Sequence, residues 1–308
     1  MLTWICLFIL SLTVLVKASD WFTQYAEIIG KNIGVPPFIV GVTIVALGTS
    51  LPELISSVVA VNLGASEIVV GNVIGSNITN IFLIFGFTAL FSKHIQLKYD
   101  LSIVDLPLLI GSTLLFVLMI RDGDFSLFEA VLCLMGLTVY FAYTVKAGSN
   151  KTDETSRRKG ANMIRPWIVL ALSGVGVYGG ARFTVDAIIR LSETFSIGRE
   201  IIAASAVALG TSLPELMVSV SSAKRGNAEM AVGNILGSNI FNTFGVTGIA
   251  ALFGKLRIPD TMLRDGLPIL LVATFLFLFI TQERRVTRWE GALMFIFYLF
   301  YLSQLFLN

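Results

Sequence analysis

The chain has 308 residues, of which 55% are hydrophobic and 14% are charged, and its mean hydropathy is +0.83. Soluble domains are about 45–50% apolar and about 25% charged, so the composition excludes a soluble protein and predicts an integral membrane protein with the lipid bilayer as its environment. The net charge of +2 is too small to indicate a nucleic-acid partner. With one histidine and two cysteines, both in apolar runs, we expect neither a zinc cluster nor a disulfide.

Ten apolar runs are candidates for membrane-spanning helices, since a span needs about 20 mostly apolar residues. Spans one to ten cover approximately residues 2–17, 36–62, 66–91, 101–120, 125–146, 166–191, 198–223, 228–253, 262–281 and 289–307. The first run resembles a signal peptide in length, but no basic residue precedes it and Lys17 follows it, so we interpret it as a span. A polar stretch, 147–165, divides the chain into halves of five spans each, 1–146 and 166–308.

The distribution of basic residues predicts how the spans are oriented, because lysine and arginine accumulate on the cytoplasmic side. With the N-terminus outside, fifteen of the 22 basic residues lie in inner loops, six in outer loops and one, Arg182, within a span. Ten spans then return the C-terminus to the outside. The sequence therefore predicts a multi-pass, all-α protein of the cell membrane with both termini outside.

Residues 41–86 and 203–248 are two copies of one repeat. When position 41 is aligned with position 203, 24 of the 46 positions are identical, including VALGTSLPEL at 45–54 and 207–216. The first copy covers spans two and three and the second covers spans seven and eight. Because five spans separate them, the copies cross the membrane in opposite directions. Inverted repeats with interrupted hydrophobic segments are typical of secondary transporters whose site lies near the membrane midplane.

Each repeat places a proline and a glutamate inside an apolar span. Pro52 and Pro214 lack an amide hydrogen, so carbonyls about one turn earlier, around Ala46–Gly48 in the first copy, should lose helical partners. Backbone groups freed at membrane depth need another partner, which a bound cation would provide. Glu53 and Glu215 add one carboxylate each, and charged residues within spans are functional by default.

Further oxygen-bearing side chains accompany the two glutamates. They are Thr49, Ser50, Ser76, Asn77 and Asn80 in the first copy and Thr211, Ser212, Ser238, Asn239 and Asn242 in the second. A set of oxygens without sulfur or imidazole favours a hard cation such as Ca²⁺, which takes 6–8 oxygen ligands. Two carboxylates would neutralise one Ca²⁺, and an empty site of charge −2 would be costly to move through the barrier, which favours exchange over leak.

Several of these residues also have purely structural interpretations. Threonine and serine hydroxyls can bond back to their own helix, and asparagines can bridge helices. Asn72 and Asn234 are expected to support packing, and Arg182 and Asp186 to form a local ion pair. Asp20, beside Trp21, is interpreted as an anchor at the membrane interface. Four glycines at small-xxx-small spacing should let helices approach closely, namely Gly71, Gly75, Gly233 and Gly237.

The paired GTSLPE motifs, each followed by GSN and a further asparagine, closely resemble the cation/calcium exchanger superfamily. Within it the whole chain is similar to the prokaryotic sodium/calcium exchangers. The resemblance implies that several Na⁺ are exchanged for one Ca²⁺ by alternating access, electrogenically, while spans one and six slide against the other eight. It implies that Glu53 and Glu215 bind both ions and that the carbonyls of Thr49 and Thr211 join the Ca²⁺ site. The implied Na⁺ sites also involve Ala46, Thr49, Ser50, Ser76, Ala208, Thr211, Ser212 and Ser238, with Asn80 and Asn242 lining the centre.

One position departs from the pattern of that family. Residue 242 is asparagine, whereas the type member and the K⁺-dependent exchangers have aspartate, so we expect no K⁺ co-transport. The stretch 147–165 is too short for the calcium-sensing domains of animal exchangers. We expect no cofactor and no enzymatic activity, and the internal twofold relation lets a monomer suffice.

Three alternatives remain open from the sequence. A proton/calcium antiporter of the same fold is the nearest, although those proteins typically carry GN–E where this chain has GTS–E. A cation channel is a different class, but channel filters are usually built from several subunits. An intramembrane hydrolase would need a nucleophile–base pair, and neither histidine nor lysine accompanies Ser50 and Glu53.

Overall fold

The computed structural model describes residues 2–92, 95–150, 164–194 and 210–307. Within them, helices lie in all ten predicted spans, with span seven described from Gly210 onward. In the first half, span one is Leu2–Ile33; span two is Pro37–Val40, Gly41–Val45, Ala46–Thr49 and Leu51–Asn62; span three is Glu67–Thr79, Asn80–Phe85 and Gly86–Phe91; span four is Asp105–Ile120; and span five is Leu127–Asn150. In the second half, span six is Ile164–Thr194; span seven is Leu213–Lys224; span eight is Ala228–Ile240, Phe241–Val246 and Thr247–Ala251; span nine is Met262–Gly266 and Leu267–Gln282; and span ten is Arg288–Leu307. Gly41–Val45, Asn80–Phe85, Phe241–Val246 and Met262–Gly266 are π-helical. Six of the described helices are long and apolar enough to cross a membrane.

Spans one and six are longer than the sequence predicts. They contain 32 and 31 residues, which at 1.5 Å per residue is about 46–48 Å, against about 30 Å for the hydrocarbon core of a bilayer. The predicted end of span one at residue 17 is therefore wrong. Lys17, predicted in a loop, and Asp20, predicted as an interface anchor, both lie within the helix Leu2–Ile33.

Small residues hold spans one and six together. A β-carbon on Gly180 would lie 2.8 Å from the backbone of Leu15, and one on Gly176 would lie 2.9 Å from the β-carbon of Ala18. Close approach of this kind favours helix association in membranes. The buried apolar residues of this pair form a cluster of their own with a few residues of spans two, seven and eight. The two long helices thus pack as a unit beside the other spans.

Spans three and eight form the centre of the molecule. Every residue from 73 to 86 and from 230 to 248 is buried, and most of the apolar ones belong to one large core with spans two, four, five, nine and ten. A helix that is buried all round belongs inside a bundle rather than at its surface. The fold therefore places the second part of each repeat at the middle of the protein.

Two short antiparallel strand pairs join the halves. β1 (Ile95–Gln96) pairs with β4 (Arg285–Val286), and β2 (Asp124–Phe125) pairs with β3 (Leu256–Arg257). Each pair connects two loops that the sequence predicts on the same side of the membrane. We call the side of β1 and β4 the linker side, because the stretch 147–165 is predicted there, and the side of β2 and β3 the terminus side. The two pairs are equivalent, because one alignment of the halves places β1 on β3 and β2 on β4.

The same alignment extends the repeat to the outer helices. Phe22-Thr23 in span one corresponds to Phe183-Thr184 in span six. Spans five and ten each begin with a capping box, in which Glu129 accepts hydrogen bonds from the amide and hydroxyl of Ser126 (2.6 and 2.9 Å) and Glu290 does so from Thr287 (2.6 and 2.7 Å). The alignment of position 41 with position 203 missed these relations, because the register of the two halves shifts by one residue outside the central repeat.

Candidate ion-binding site

Both GTSLPEL motifs break their helix at the serine before the leucine–proline pair. Ser50 (φ −89°, ψ 3°) and Ser212 (φ −91°, ψ 1°) lie between helices, and a new helix of 12 residues begins at the following leucine. Proline is favoured in a first helical turn because its missing amide hydrogen has no partner there to lose. The Ala46 carbonyl still accepts the Ser50 amide at 3.0 Å, so the prediction of a freed carbonyl is wrong for Ala46 itself.

The two glutamates follow these breaks and are buried at 1% exposure each. Ser50 Oγ donates a hydrogen bond of 3.0 Å to Glu215 Oε1, which joins the motif of one half to the carboxylate of the other. Both oxygens of Glu53 and Oε2 of Glu215 make no hydrogen bond among the described residues. Because buried polar atoms are almost always paired, these carboxylate oxygens indicate a place where a cation fits.

The threonine hydroxyls are held by asparagines of the opposite half. The Thr211 hydroxyl donates to Asn72 Oδ1, whereas the single proton of the Thr49 hydroxyl is shared between Asn234 Oδ1 and the Val45 carbonyl of its own helix at 3.1 Å. In each half the amide of the asparagine donates to a serine of its own half. The two distances are 3.2 and 2.9 Å along Thr49–Asn234–Ser219 and 3.4 and 3.5 Å along Thr211–Asn72–Ser57. Asn72 and Asn234 therefore position the threonines, which agrees with the structural role expected for them.

Asn80 and Asn242 lie where the helices of spans three and eight become π-helical. Both are buried, and neither the amide nor the carbonyl of either side chain has a hydrogen-bond partner among the described residues. Such π-helical turns are frequent at functional sites. The hydroxyls of Ser212 and Ser238 are likewise buried, with no partner in the described part of the chain. Ser76 is buried, and Ala208 lies outside the described residues.

Asn77 and Asn239, the neighbouring pair, differ in what they contact. Asn77 Nδ2 donates to Thr243 Oγ1 at 2.9 Å and to the Asn239 carbonyl at 3.3 Å, so it ties span three to span eight. Asn239 Nδ2 donates to the Ile235 carbonyl of its own helix at 2.7 Å. The repeated asparagines are thus equivalent in sequence but not in the contacts they make.

Glycines let span eight lie directly against span two. A β-carbon on Gly237 would lie 2.6 Å from the Val42 carbonyl oxygen and 2.8 Å from the β-carbon of Ala46, and one on Gly233 would overlap the Phe38 carbonyl. The predicted close approach is confirmed for these two glycines. A β-carbon on Gly75, the counterpart of Gly237, would lie 3.3 Å from the Tyr301 hydroxyl. The counterparts of residues 38–46 in the second copy lie outside the described part of the chain, so the prediction for Gly71 and Gly75 is not tested against them.

The chemistry of the site rests on oxygen. Among the described residues, no three His, Cys, Asp or Glu side chains come together in the manner of a resident metal cluster. Among the candidate residues, the orphaned atoms instead come from two carboxylates, four asparagine side chains and two serine hydroxyls, and the asparagine atoms include Oδ1 of Asn77 and of Asn239. Such a set suits a hard cation held in part by uncharged ligands.

A cavity of about 360 Å³ lies on the terminus side of the two kinks. Its described lining includes both kink prolines, Asn72, Thr211, Arg182 and Asp186. The cavity therefore reaches residues that adjoin the glutamates. The ion pair predicted between Arg182 and Asp186 is absent from the salt bridges of the described residues, so that prediction is wrong.

On the linker side, three polar contacts among the described residues attach span one to span seven. Ser221 Oγ donates to Asp20 Oδ1 at 2.6 Å, Thr23 Oγ1 donates to the Val218 carbonyl at 3.4 Å, and Arg225 lies 3.9 Å from Glu27. We call these three contacts the linker-side seam. No signal in the sequence pointed to it, because its partners come from opposite halves of the chain and its polar side chains have no matching pair in the other copy.

The geometry and the comparisons with known proteins agree. The chain belongs to the sodium/calcium exchanger protein family, which it matches over residues 3–146 and 165–307. It is 32% identical to the sodium/calcium exchanger MaX1 of Methanosarcina acetivorans over an alignment of 340 residues that covers 97% of each chain. It is 33% identical over 298 residues to an uncharacterized membrane protein of Methanocaldococcus jannaschii, covering 97% of this chain and 96% of that one.

The fold is also that of a solved exchanger. A structure of the sodium-calcium exchanger NCX_Mj, soaked with 2.5 mM Na⁺ and 0.1 mM Ca²⁺, superimposes with a TM-score of 0.86 at 31% identity over 98% of both chains. The predicted family and the predicted architecture of ten membrane helices in two inverted repeats are therefore confirmed.

Proposed function

We propose that this protein exchanges Na⁺ for Ca²⁺ across the membrane by alternating access to one site between Glu53 and Glu215. The observation that carries the proposal is the group of buried oxygens on these glutamates that have no partner among the described residues, where the two inverted copies meet. Family membership identifies the ions, and the composition of the site suits them. The protein acts as a transporter, and the proposal includes no cofactor and no enzymatic step.

The roles of individual residues follow the same reasoning. The carboxylates of Glu53 and Glu215 bind Ca²⁺ together and Na⁺ in turn, with the carbonyls of Thr49 and Thr211 as further Ca²⁺ ligands. Na⁺ binds at flanking positions formed by the remaining predicted residues, which are Ala46, Ser50, Ser76, Ala208, Ser212 and Ser238. Asn80 and Asn242 line the centre, where their amide oxygens can face a cation.

Exchange is proposed to be electrogenic and independent of K⁺. Two carboxylates are neutralised by one Ca²⁺, so a Na⁺-loaded state with more than two ions carries an additional positive charge. Asn242 is neutral, which leaves the centre of the site without a third carboxylate for a further cation. The lack of hydrogen bonds to the side chain of Asn242 among the described residues supports its position facing the ions.

The orientation in the cell membrane is proposed from the basic residues. Even with Lys17 moved into span one, fourteen of the 22 lysines and arginines fall in linker-side loops or at their helix ends (15 − 1). The linker side is therefore assigned to the cytoplasm and the terminus side to the outside. A monomer contains both copies of the repeat and so a complete site.

Calcium uptake into proteoliposomes loaded with Na⁺ tests the function. Uptake should require internal Na⁺ and should be accelerated by an inside-positive potential set with K⁺ and valinomycin, because net positive charge leaves as Ca²⁺ enters. K⁺ present at equal concentrations on both sides of the membrane should have no effect on the rate of uptake. Uptake that ignores Na⁺ and follows an imposed pH gradient would establish the proton/calcium alternative, and uptake that needs neither gradient would indicate a channel.

A further inference from the structure

Two charged side chains of span six lie where ions would approach the site. Arg182 and Asp186 are four residues apart, one helical turn, so their side chains share a face of the helix. Both are exposed and both line the cavity of about 360 Å³ that also contacts Asn72 and Thr211. They are the charged residues of its described lining. Since they form no ion pair with each other, both charges remain directed at the cavity and its solvent.

The inverted repeat shows that these charges belong to one side only. In the alignment that relates Phe22 to Phe183, Arg182 corresponds to Trp21 and Asp186 to Tyr25. Span one therefore presents no charge at the equivalent positions on the linker side. A pair that only held the fold together would be expected to bond internally, and this one does not.

We propose that Arg182 and Asp186 control the entry of cations from the terminus side, Arg182 by repelling them and Asp186 by attracting them. The proposal rests on the proposed exchange function. A cavity with low-dielectric walls focuses the field of such charges along the path of an ion. Because Coulomb energy is proportional to the charge of the ion, each residue acts twice as strongly on Ca²⁺ as on Na⁺. The pair thereby adjusts the preference between the two ions at the mouth, before either reaches the glutamates.

The two substitutions Arg182→Gln and Asp186→Asn test this with opposite signs. For an ion that passes about 8 Å from the charge in a water-like dielectric, Arg182→Gln should lower the apparent KM for Ca²⁺ about sixfold and that for Na⁺ about 2.4-fold, the square root of the effect on Ca²⁺. Asp186→Asn should raise both in the same proportion. The effects should appear only from the terminus side and should shrink at high salt, because the screening length falls to about 3 Å at 1 M.

Initial rates from both faces of proteoliposomes, at low and high ionic strength, provide the measurement. Arg264→Gln is the matched control, since Arg264 is an arginine of the terminus-side end of span nine that is 82% exposed and is absent from the described lining of the cavity. The double variant should return towards the wild type. The proposal would be overturned if KM shifted equally for both ions, if high salt did not reduce the shifts, or if KM were unchanged in variants that still exchange. If the wild-type protein showed no Na⁺-dependent uptake, the proposed exchange function itself would be rejected.

Discussion

The two sides of the molecule are built from inverted copies of one sequence, yet they differ in how the long helices attach. On the linker side, Asp20, Thr23 and Glu27 of span one contact span seven. Their counterparts in span six are alanine, threonine and isoleucine at positions 181, 184 and 188, and the counterparts of residues 218, 221 and 225 are serine, valine and leucine at 56, 59 and 63. The polar seam therefore has no equivalent on the terminus side, where the cavity lined by Arg182 and Asp186 lies.

The equivalent phenylalanines show the same difference. Phe22 is 5% exposed, and a β-carbon added to Gly48 would lie 2.7 Å from its ring, whereas Phe183 is 52% exposed. Gly210, the counterpart of Gly48, lines the cavity. An inverted repeat makes each side a template for the other, so we expect the alternate state to bury Phe183 near Gly210 and to release Phe22. We expect the seam to bias the protein towards the state described here.

The largest effect is expected from substitution of the two glutamates, because both sides of the molecule share them. Glu53→Gln or Glu215→Gln should reduce Ca²⁺ exchange more than about 100-fold, because a divalent ion would face one buried carboxylate and the cost of desolvating it would not be offset. Na⁺-dependent uptake by purified variants measures this, with Glu67→Gln as the control because Glu67 is an exposed glutamate at the start of span three. Wild-type exchange in either variant would remove the central assignment.

A bulky side chain at Gly48 should break the closure of the linker side. Gly48→Val places atoms where the Phe22 ring lies, and overpacking of this kind costs about 1–3 kcal/mol. We expect exchange to fall about tenfold and to recover in the double variant with Phe22→Ala, since the smaller side chain vacates the space. Transport rates of the two single variants and the double variant form the test. If Phe22→Ala brings no recovery, the ring does not form this closure.

Much of this comparison could be predicted from the sequence, but the seam could not. The kinks and the buried glutamates are local features of a motif that occurs twice, so duplication marks them. Asp20 and Ser221 lie in opposite halves of the chain, and neither has a polar counterpart in the other copy. The length of span one was missed because Lys17 and Asp20 interrupt the apolar run. In the described part of the chain the aspartate is bonded by Ser221, which lies in the other half of the sequence. The hydrogen bonds through Asn72 and Asn234 could not be predicted from the sequence either, because each set links residues of opposite halves.

Loss of the seam should shift the balance between the two sides without abolishing transport. Ser221→Ala removes the donor to Asp20, and a hydrogen bond to a charged group contributes about 1.5–3 kcal/mol. Opening to the linker side should then become easier by about tenfold, so the apparent KM for Ca²⁺ should fall from that side and rise from the other. Ser303→Ala is the control, because Ser303 is a serine of span ten whose hydroxyl donates to the Phe300 carbonyl of its own helix, at 2.7 Å, away from the seam and the cavity. Equal KM changes on both sides would show that the seam does not bias the two states.

The smallest effect should come from placing a carboxylate at the centre of the site, which belongs to neither side of the molecule. Asn242→Asp changes few atoms in a buried position whose side chain has no partner among the described residues, so we expect folding to be unchanged. The new carboxylate can take up a proton in competition with cations, so exchange should fall severalfold as the pH is lowered through neutrality, while the wild-type protein should be less sensitive over that range. Uptake measured across pH 6–8 against Asn227→Asp, a change in the loop before span eight, compares the two directly. An unchanged pH profile would place residue 242 away from the path of the ions, and the two halves would then meet at the glutamates alone.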